Sequence, residues 1–350
     1  MLLTLSDGTS YTGRGFGYEK SISGELIFNT GMVGYPETLT DPSYAGQIII
    51  FTYPLIGNYG IPSEEAVVDG LRSHFESGKI QPRAIVICTL SDEVFHWKGF
   101  QSLDQWLKKN KVPGICEVDT RTLTQHIREK GSMLAKLTLV REDVDFYDPN
   151  MESLVPSVSI DKVTEYGSGP KTVILVDCGA KQNILRSLLK RNLKVIRVPW
   201  NYDYSDMKFD GIFLSNGPGD PMQVPETVEV LRKQLDRNKP IFGICLGNQM
   251  LSLAAGASTY KLKFGHRSQN QPCIQVGTKR CLITSQNHGF AVDDKTLPDD
   301  WTPWFFNAND GTNEGIRHRT KPFMSVQFHP EAFPGPTDAG YLFDEFTKLL

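Results

Sequence analysis

The sequence predicts an α/β fold: a C-terminal, mostly parallel sheet with helices on both faces, preceded by a smaller β-rich α/β domain. After residue 171, short apolar runs alternate with helical patterns, and these runs show no polar–apolar alternation. That pattern is typical of strands buried on both faces of a parallel sheet. Before residue 145, short runs rich in Ile, Leu and Phe are separated by glycine and proline, which indicates strands joined by turns. A chain of 350 residues is long enough for two such domains.

We therefore predict an N-terminal domain over residues 1–145, a polar linker over 146–170 and a C-terminal domain over 171–350. Each predicted element follows from an apolar run or a helical pattern between turn residues. In chain order the predicted elements are strands at Glu25–Asn29 and Gln47–Thr52, a helix from about Thr122 to Glu129 before Gly131, strand Thr172–Asp177, helix Gln182–Lys190, strands Leu193–Pro199 and Gly211–Ser215, helix Glu226–Asp236, strand Pro240–Ile244, helix Asn248–Ala255, and strands Cys281–Ser285 and Met324–Phe328.

Charge and cysteine usage narrow the function classes. Lys and Arg number 37 against 40 Asp and Glu, a net charge of −3, so no basic surface for nucleic acid is expected. No apolar run is long enough to span a membrane, and residues 1–8 lack the regions of a signal peptide. The six cysteines form no C-x-x-C pair, and neither a metal site nor a P-loop is evident. We expect a soluble, reduced, cytoplasmic protein that holds no cofactor of its own.

Cys245 is the candidate nucleophile. It lies in Gly243–Gly247, a segment of the form G-x-C-x-G between a predicted strand and a predicted helix. Such a turn needs small residues on both sides, lifts the sulfur above the sheet and favours the thiolate at a helix N-terminus. It also directs the amide of Leu246 toward a developing oxyanion. A buried structural cysteine between packing glycines is the alternative, and the strand-to-helix junction favours the nucleophile.

His329 is the candidate general base. It follows the predicted strand 324–328, and Pro330 fixes the backbone between it and Glu331, whose carboxylate is suited to hold the ring through Nδ1. An exposed histidine in a turn is the alternative, and the pairing with a cysteine at a neighbouring strand end favours the base. His288 is a weaker second candidate, because no carboxylate lies next to it in the sequence.

Two polar loops also follow predicted strands. Residues 216–220, Asn-Gly-Pro-Gly-Asp, carry two glycines, which favours backbone amides turned inward to bind an oxyanion or a carboxylate. An ordinary turn fits this loop equally well. Residues 286–290, Gln-Asn-His-Gly-Phe, are suited to line a polar substrate pocket.

Together, the motifs at 216–220, 243–249 and 329–331 resemble those of the class I glutamine amidotransferases, in the same order. This resemblance covers about residues 172–350. Four other segments are similar to the small subunit of carbamoyl-phosphate synthetase: Thr30–Tyr44, Thr52–Asn58, Glu117–Thr124 and Ser285–Phe290. Two more, Asn270–Cys273 and Asn307–Gly315, most resemble the glutaminase region of the eukaryotic multifunctional synthetases of pyrimidine biosynthesis.

The resemblance implies a role for each matching position. Cys245 is then the nucleophile, His329 the base and Glu331 its partner. Ser43 belongs to the N-terminal domain, which implies a site near the domain interface. Position 248 is Asn where the family most often has His, which implies altered coupling to a synthetase rather than lost chemistry. The positions that match the family's glutamine-binding residues are Ser43, Gly217, Gly219, Leu246, Gln249, Asn287, Gly289 and Phe290.

The function that the resemblance implies is hydrolysis of L-glutamine through a thioester on Cys245. Ammonia would then pass through a tunnel to a carbamoyl-phosphate synthetase large subunit or domain, which would bind ATP and magnesium. Two alternatives are a non-catalytic regulatory module of an ammonia-dependent synthetase and an amidotransferase for another acceptor. The intact set Cys245, His329 and Glu331 disfavours the first, and the sequence of residues 1–145 disfavours the second.

Overall fold

The computed structural model describes residues 1–350 and divides them into two compact units, Met1–Glu152 and Ser153–Leu350. The division falls inside the stretch 146–170 that the sequence analysis took as a linker. The second part of that stretch adds a short strand, Thr164–Tyr166, to the edge of the C-terminal sheet. None of the helices has the length and apolar character needed to cross a bilayer.

The N-terminal unit contains a mixed eight-stranded sheet with the order β2-β1-β12-β4-β5-β9-β11-β3. Its four central strands, β4, β5, β9 and β11, run parallel to one another, and the others are antiparallel. The elements of this unit are β1 (Leu2–Leu5), β2 (Ser10–Thr12), β3 (Arg14–Gly17), β4 (Ile22–Asn29), α1 (Tyr35–Thr40), β5 (Gln47–Phe51), β6 (Leu55–Ile56), β7 (Val67–Val68), β8 (Leu71–Arg72), β9 (Ala84–Val86), β10 (Thr89–Leu90), α2 (Leu103–Lys109), β11 (Pro113–Cys116), α3 (Thr120–Lys130) and β12 (Met133–Thr138).

Helix α3 shows why the local sequence sets the helix ends. The Asp119 carboxylate accepts a hydrogen bond from the Thr122 backbone N–H at 3.0 Å and so caps the first turn. Gly131 ends the helix with a φ of 104°, a conformation that favours glycine. Leu123 and Ile127, one turn apart, are fully buried and anchor the helix on the sheet.

The C-terminal unit contains a ten-stranded sheet with the order β13-β15-β14-β16-β17-β22-β21-β20-β18-β19. The five strands β15, β14, β16, β17 and β22 are parallel, which confirms the predicted parallel α/β core. The remaining strands are antiparallel, so the whole sheet is mixed. Its elements are β13 (Thr164–Tyr166), β14 (Lys171–Asp177), α4 (Gln182–Leu189), β15 (Leu193–Pro199), β16 (Gly211–Leu214), α5 (Pro225–Leu235), β17 (Ile241–Ile244), α6 (Leu246–Ala255), β18 (Ser258–Gln275), β19 (Cys281–Asp293), β20 (Trp301–Asn307), β21 (Asn313–His318), β22 (Phe323–Val326) and α7 (Tyr341–Thr347).

Helices cover both faces of the parallel strands, as β16 illustrates. Ile212 and Leu214 belong to one apolar cluster with residues of α5 and α6. Phe213 points to the opposite face, because successive side chains of a strand alternate. There its ring stacks on Phe343 of α7 with 5.4 Å between ring centroids and meets Phe346 edge-on at 5.4 Å. A strand such as β16 is therefore apolar on both sides because both of its faces are covered.

We expect Phe343→Ala to lower the free energy of unfolding by about 3–5 kcal/mol, because it removes a buried aromatic ring from this packed cluster. Urea unfolding followed by fluorescence measures the change. Tyr202→Ala removes a 39% exposed ring and serves as the control, with an expected change within about 0.5 kcal/mol. Equal losses for the two variants would contradict the assigned role of α7 in the core.

Candidate active site

Cys245 occupies a strained turn between β17 and α6. Its φ of 56° and ψ of −106° lie in a region that residues with a side chain rarely adopt. Backbone hydrogen bonds hold this conformation: the Cys245 N–H donates to the Val326 carbonyl at 2.9 Å, and the Cys245 carbonyl accepts from Asn248 and Gln249. The turn therefore joins a central strand, its neighbour β22 and the first turn of α6.

The glycines on both sides of Cys245 are required by close backbone contacts. A Cβ atom at Gly243 would lie 2.6 Å from the carbonyl oxygen of Gly247. A Cβ atom at Gly247 would lie 2.5 Å from the carbonyl oxygen of Leu214, at the end of β16. Since both neighbours are backbone atoms that cannot turn aside, the G-x-C-x-G spacing is a steric condition for this turn.

His329 and Glu331 lie together at the carboxyl end of β22. The Nδ1 atom of His329 is 2.6 Å from Oε1 of Glu331, the orientation predicted from the sequence. Both side chains are at least 98% buried. The backbone N–H of His329 donates to the Ser285 carbonyl at 2.9 Å, which ties the residue to β19. The carboxylate thus fixes the ring and leaves Nε2 as the nitrogen available for proton transfer.

The charges of this pair depend on each other. Burial disfavours the imidazolium, but the Glu331 charge and the nearby Cys245 thiol outweigh it and raise the pKa of His329 to about 10. Burial also disfavours the Glu331 carboxylate, but the charges of Lys181 and His329 outweigh it and lower its pKa to about 2. The site therefore stabilises an imidazolium next to the sulfur.

Lys181 is a member of this site that the sequence analysis did not identify. Its Nζ atom lies 3.1 Å from Oε1 of Glu331 and donates to the Ala332 carbonyl at 2.6 Å. The side chain is only 4% exposed. The turn that carries it is held by Asp177, whose Oδ1 accepts from the backbone of Gly179 and Ala180. The available signal was a lysine in an otherwise apolar turn at the carboxyl end of a buried strand.

The loop 216–220 packs directly against the cysteine turn. A Cβ atom at Gly217 would lie 2.2 Å from the Cys178 carbonyl oxygen and 2.7 Å from Cδ2 of Leu246. Gly219 has a φ of 84°, which favours glycine. Leu246 is the first residue of α6, so its amide has no acceptor within the helix. This arrangement brings an amide-rich loop and a helix N-terminus to the same edge of the sheet as Cys245.

The strand β19 closes the other side of the sulfur. Sγ of Cys245 lies 3.6 Å from the carbonyl oxygen of Asn287. The Gln249 side chain donates through Nε2 to the Phe290 carbonyl at 2.9 Å. Gly289 lies between these two contacts, and a Cβ atom there would be 3.3 Å from Arg267. Four of the predicted glutamine-binding positions are thus grouped around Cys245.

Three further residues named from the sequence have distinct surroundings. Ser43 lies in the N-terminal unit, buried in the short 3-10 helix Pro42–Tyr44 that Asp41 caps, and its role stays a prediction. Asn248 is fully buried and hydrogen-bonds through its amide to Gln327 and Ser325. Both ring nitrogens of His288 face oxygen atoms of β19, 2.8 and 3.0 Å away, rather than the sulfur. This favours His329 over His288 as the base.

Comparison with known families gives two matches that together span most of the chain. Residues 174–349 match the family model of the class-I glutamine amidotransferases. Residues 3–137 match the model of the carbamoyl-phosphate synthase small chain, CPSase domain.

Three curated relatives illustrate the range of proteins that contain this sequence type. The multifunctional protein CAD of Squalus acanthias is 53% identical over 99% of this chain and 16% of its own length. The arginine-specific small chain of carbamoyl phosphate synthase from Aspergillus oryzae is 48% identical over 97% of this chain and 78% of its own. The mitochondrial carbamoyl-phosphate synthase [ammonia] of Homo sapiens is 48% identical over 99% of this chain and 23% of its own length. The chain thus spans less than a quarter of two of these relatives and most of the third.

We expect Lys181→Met to lower the free energy of unfolding by about 3–5 kcal/mol, because it leaves the buried Glu331 carboxylate without one of its two cationic partners. Urea unfolding measures the loss. Lys171→Met is the matched control: its pair with Asp210 is 46% and 34% exposed and is worth at most about 1 kcal/mol. If both variants lost the same free energy, the Lys181–Glu331 pair would not be the buried support described above.

The His329–Glu331 pair also predicts a pH dependence. The folded pKa of His329, about 10, lies above the ordinary histidine value of 6.5, so its stabilisation is fully present below about pH 6.5. It is lost as the pH rises through about 10. The difference in unfolding free energy between wild type and His329→Asn should therefore be largest near pH 6.5 and decrease toward pH 10. In a Glu331→Gln background this dependence should weaken, and an unchanged slope there would contradict the pairing.

Proposed function

The chain belongs to the carbamoyl-phosphate synthase small-chain family, with a class I glutamine amidotransferase domain, and from this membership we propose that it hydrolyses L-glutamine and supplies ammonia to a synthetase partner. The observation that carries the proposal is the buried array of Cys245, His329 and Glu331 at neighbouring strand ends. A nucleophile, a base and a carboxylate that orients the base are the groups that acyl transfer from an amide requires.

The first half of the reaction forms a thioester. His329 holds the proton of Cys245 as an imidazolium, which its raised pKa favours, and the sulfur attacks the carbonyl carbon of the glutamine side-chain amide as the thiolate. The amide of Leu246 and the loop at Gly217 are suited to donate hydrogen bonds to the resulting oxyanion. His329 then returns the proton to the amide nitrogen, the C–N bond breaks and ammonia leaves.

The second half of the reaction releases glutamate. His329 takes a proton from a water molecule, and the hydroxide attacks the thioester carbonyl. The C–S bond breaks, glutamate leaves and His329 reprotonates the sulfur of Cys245. Glu331 stabilises the imidazolium that appears in both halves. All of these steps use side chains of this chain alone.

We propose that glutamine is held by the positions that match the family motifs. Gln249, Asn287, Gly289 and Phe290 are supported by their contacts around Cys245. Gly217, Gly219 and Leu246 are supported by the packing of the loop on α6. The role of Ser43 is supported by the resemblance alone.

The partner that we propose is a carbamoyl-phosphate synthetase large subunit or domain, which would bind ATP and magnesium and combine ammonia with bicarbonate. Ammonia released into water at neutral pH would be mostly ammonium and no longer nucleophilic, which supports a tunnel between the two sites. The names of the relatives support a place in pyrimidine or arginine biosynthesis. The six free cysteines fit a reducing compartment, and we propose the cytoplasm.

The alternative of a non-catalytic regulatory module is less well supported. One relative is named for ammonia as its nitrogen source. A module of that kind has no need for a cysteine in a strained turn beside a buried His–Glu pair, because the strain costs about 1–3 kcal/mol. The complete array of Cys245, His329 and Glu331 therefore favours glutamine hydrolysis.

Cys245→Ser tests the proposal. We expect glutamate release from glutamine to fall at least about 10³-fold, because hydroxyl for thiol removes the nucleophile. Carbamoyl-phosphate synthesis from ammonium chloride by the chain with a synthetase large subunit should continue unchanged. Both products are measured in the same complex, with glutamine or ammonium as nitrogen source.

Cys281→Ser, at an exposed cysteine, is the matched control and should keep both activities. Glutamate release that persists in Cys245→Ser would remove this residue from the mechanism. Loss of ammonia-dependent synthesis as well would contradict the separation of the two roles.

A further inference from the structure

A second cluster of chemically active side chains lies in the antiparallel half of the C-terminal sheet. His266 of β18 and His288 of β19 are directly opposite each other, and Glu314 of β21 completes the group. All three are buried, and one donor atom of each lies within 4.8 Å of the other two. The mechanism proposed above uses none of them.

His266 presents a nitrogen without a hydrogen-bond partner to this cluster. Its Nε2 lies 2.8 Å from Oδ2 of Asp310 and carries a proton, because a carboxylate only accepts hydrogen bonds. Its Nδ1 points at Oε1 of Glu314, 3.4 Å away, and has no hydrogen-bond partner. The other oxygen of Glu314, Oε2, is also buried without a partner.

His288 presents its own bare nitrogen to the same point. Its Nδ1 lies 2.8 Å from the Phe290 carbonyl, which only accepts, so the ring proton is on Nδ1. Nε2 therefore carries a lone pair, and it lies 3.9 Å from Oε1 of Glu314 and 3.0 Å from Oε1 of Gln286.

The orientation of the Gln286 amide is set by its other contacts. Thr284 donates its hydroxyl hydrogen to the Gln271 carbonyl at 2.9 Å, so it accepts from Nε2 of Gln286 at 3.2 Å. The amide oxygen of Gln286 is thereby left facing His288. Two imidazole nitrogens, a carboxylate and an amide oxygen thus converge in one buried place, where the Asn307 amide also donates to Oε1 of Glu314 at 3.3 Å.

Converging lone pairs in a buried space repel one another unless a proton or a metal ion lies between them. The distance between two ligands of a tetrahedral zinc ion is roughly 3.3 Å for bonds of about 2.0–2.1 Å. The His266 and Glu314 donor atoms are 3.4 Å apart, close to this value, and the His288 and Glu314 donor atoms are 3.9 Å apart. Each histidine also donates its other N–H to an oxygen, the outer contact typical of histidine metal ligands.

We propose that His266, His288 and Glu314 bind one divalent transition-metal ion, with zinc the best match to two imidazoles and a carboxylate. The ion joins three strands that lie far apart in the sequence. It also fixes the segment from Gln286 to Phe290, which faces Cys245, and its role is structural because no donor contacts the sulfur. The site is independent of glutamine hydrolysis and would exist in an inactive chain.

Metal analysis of the full chain tests the site. After expression with zinc and exhaustive dialysis, we expect about one zinc per chain by mass spectrometry. Glu314→Gln, which keeps the shape and removes the charge, and His266→Asn should each lower the zinc affinity at least about tenfold. Cys245→Ala should retain the metal, which excludes capture of zinc by the nucleophile. His318→Asn, at a buried histidine of β21 paired with Asp300, is the matched control and should also retain it.

A second measurement covers the case in which a variant fails to fold. Wild-type chain stripped with a chelator should show a lower Tm, and titrated zinc should restore it at a ratio of one per chain. Cobalt added to the stripped chain should give the absorption of a four-coordinate site. If the stripped chain binds neither metal and its Tm does not respond, the cluster holds protons instead and the proposal is overturned.

Discussion

The turn at Cys245 is the constraint on which the rest of the C-terminal unit depends. The sulfur reaches the edge of the sheet only because the backbone of Cys245 adopts a strained conformation, and that conformation is held by Val326 on one side and by the first turn of α6 on the other. Gly247 must in turn lie against Leu214. The Cys245 turn therefore links the carboxyl ends of three adjacent parallel strands, β16, β17 and β22.

A line of alternating charges extends from this turn into the protein. Lys181 supports Glu331, Glu331 supports His329, and His329 lies beside Cys245. Each buried charge has an opposite charge next to it, which offsets part of the cost of burying it. Lys181, the first of these charges, lies in a turn whose backbone N–H groups donate to Asp177. The reactivity at the sulfur thus depends on residues at the ends of three strands, β14, β17 and β22.

The sequence alone predicts those features of the fold and the site that a few neighbouring residues determine. The strand-to-helix turn around Cys245 and the His329–Glu331 pair follow from local spacing, as do the parallel strands with their continuous apolar runs. Lys181 was missed because only tertiary folding brings it to Glu331. The long antiparallel pair β18–β19 was only partly predicted, since polar residues and two register shifts interrupt its pattern. Glu314 lies near the two histidines only because β21 belongs to the same antiparallel half of the sheet. No spacing motif in the sequence therefore predicts the contact.

The contact between Gly247 and Leu214 has a consequence for protein engineering. Because the loop 216–220 follows closely after Leu214 and Gly247 lies in the first turn of α6, the two motifs must be transferred together to another protein. If the cysteine turn alone were transferred into another protein, Gly247 would pack against a strand end of different shape. A new acyl substrate is therefore better sought by changing side chains of residues 286–290 on β19, whose backbone lies near the sulfur, because these residues are not part of the turn itself.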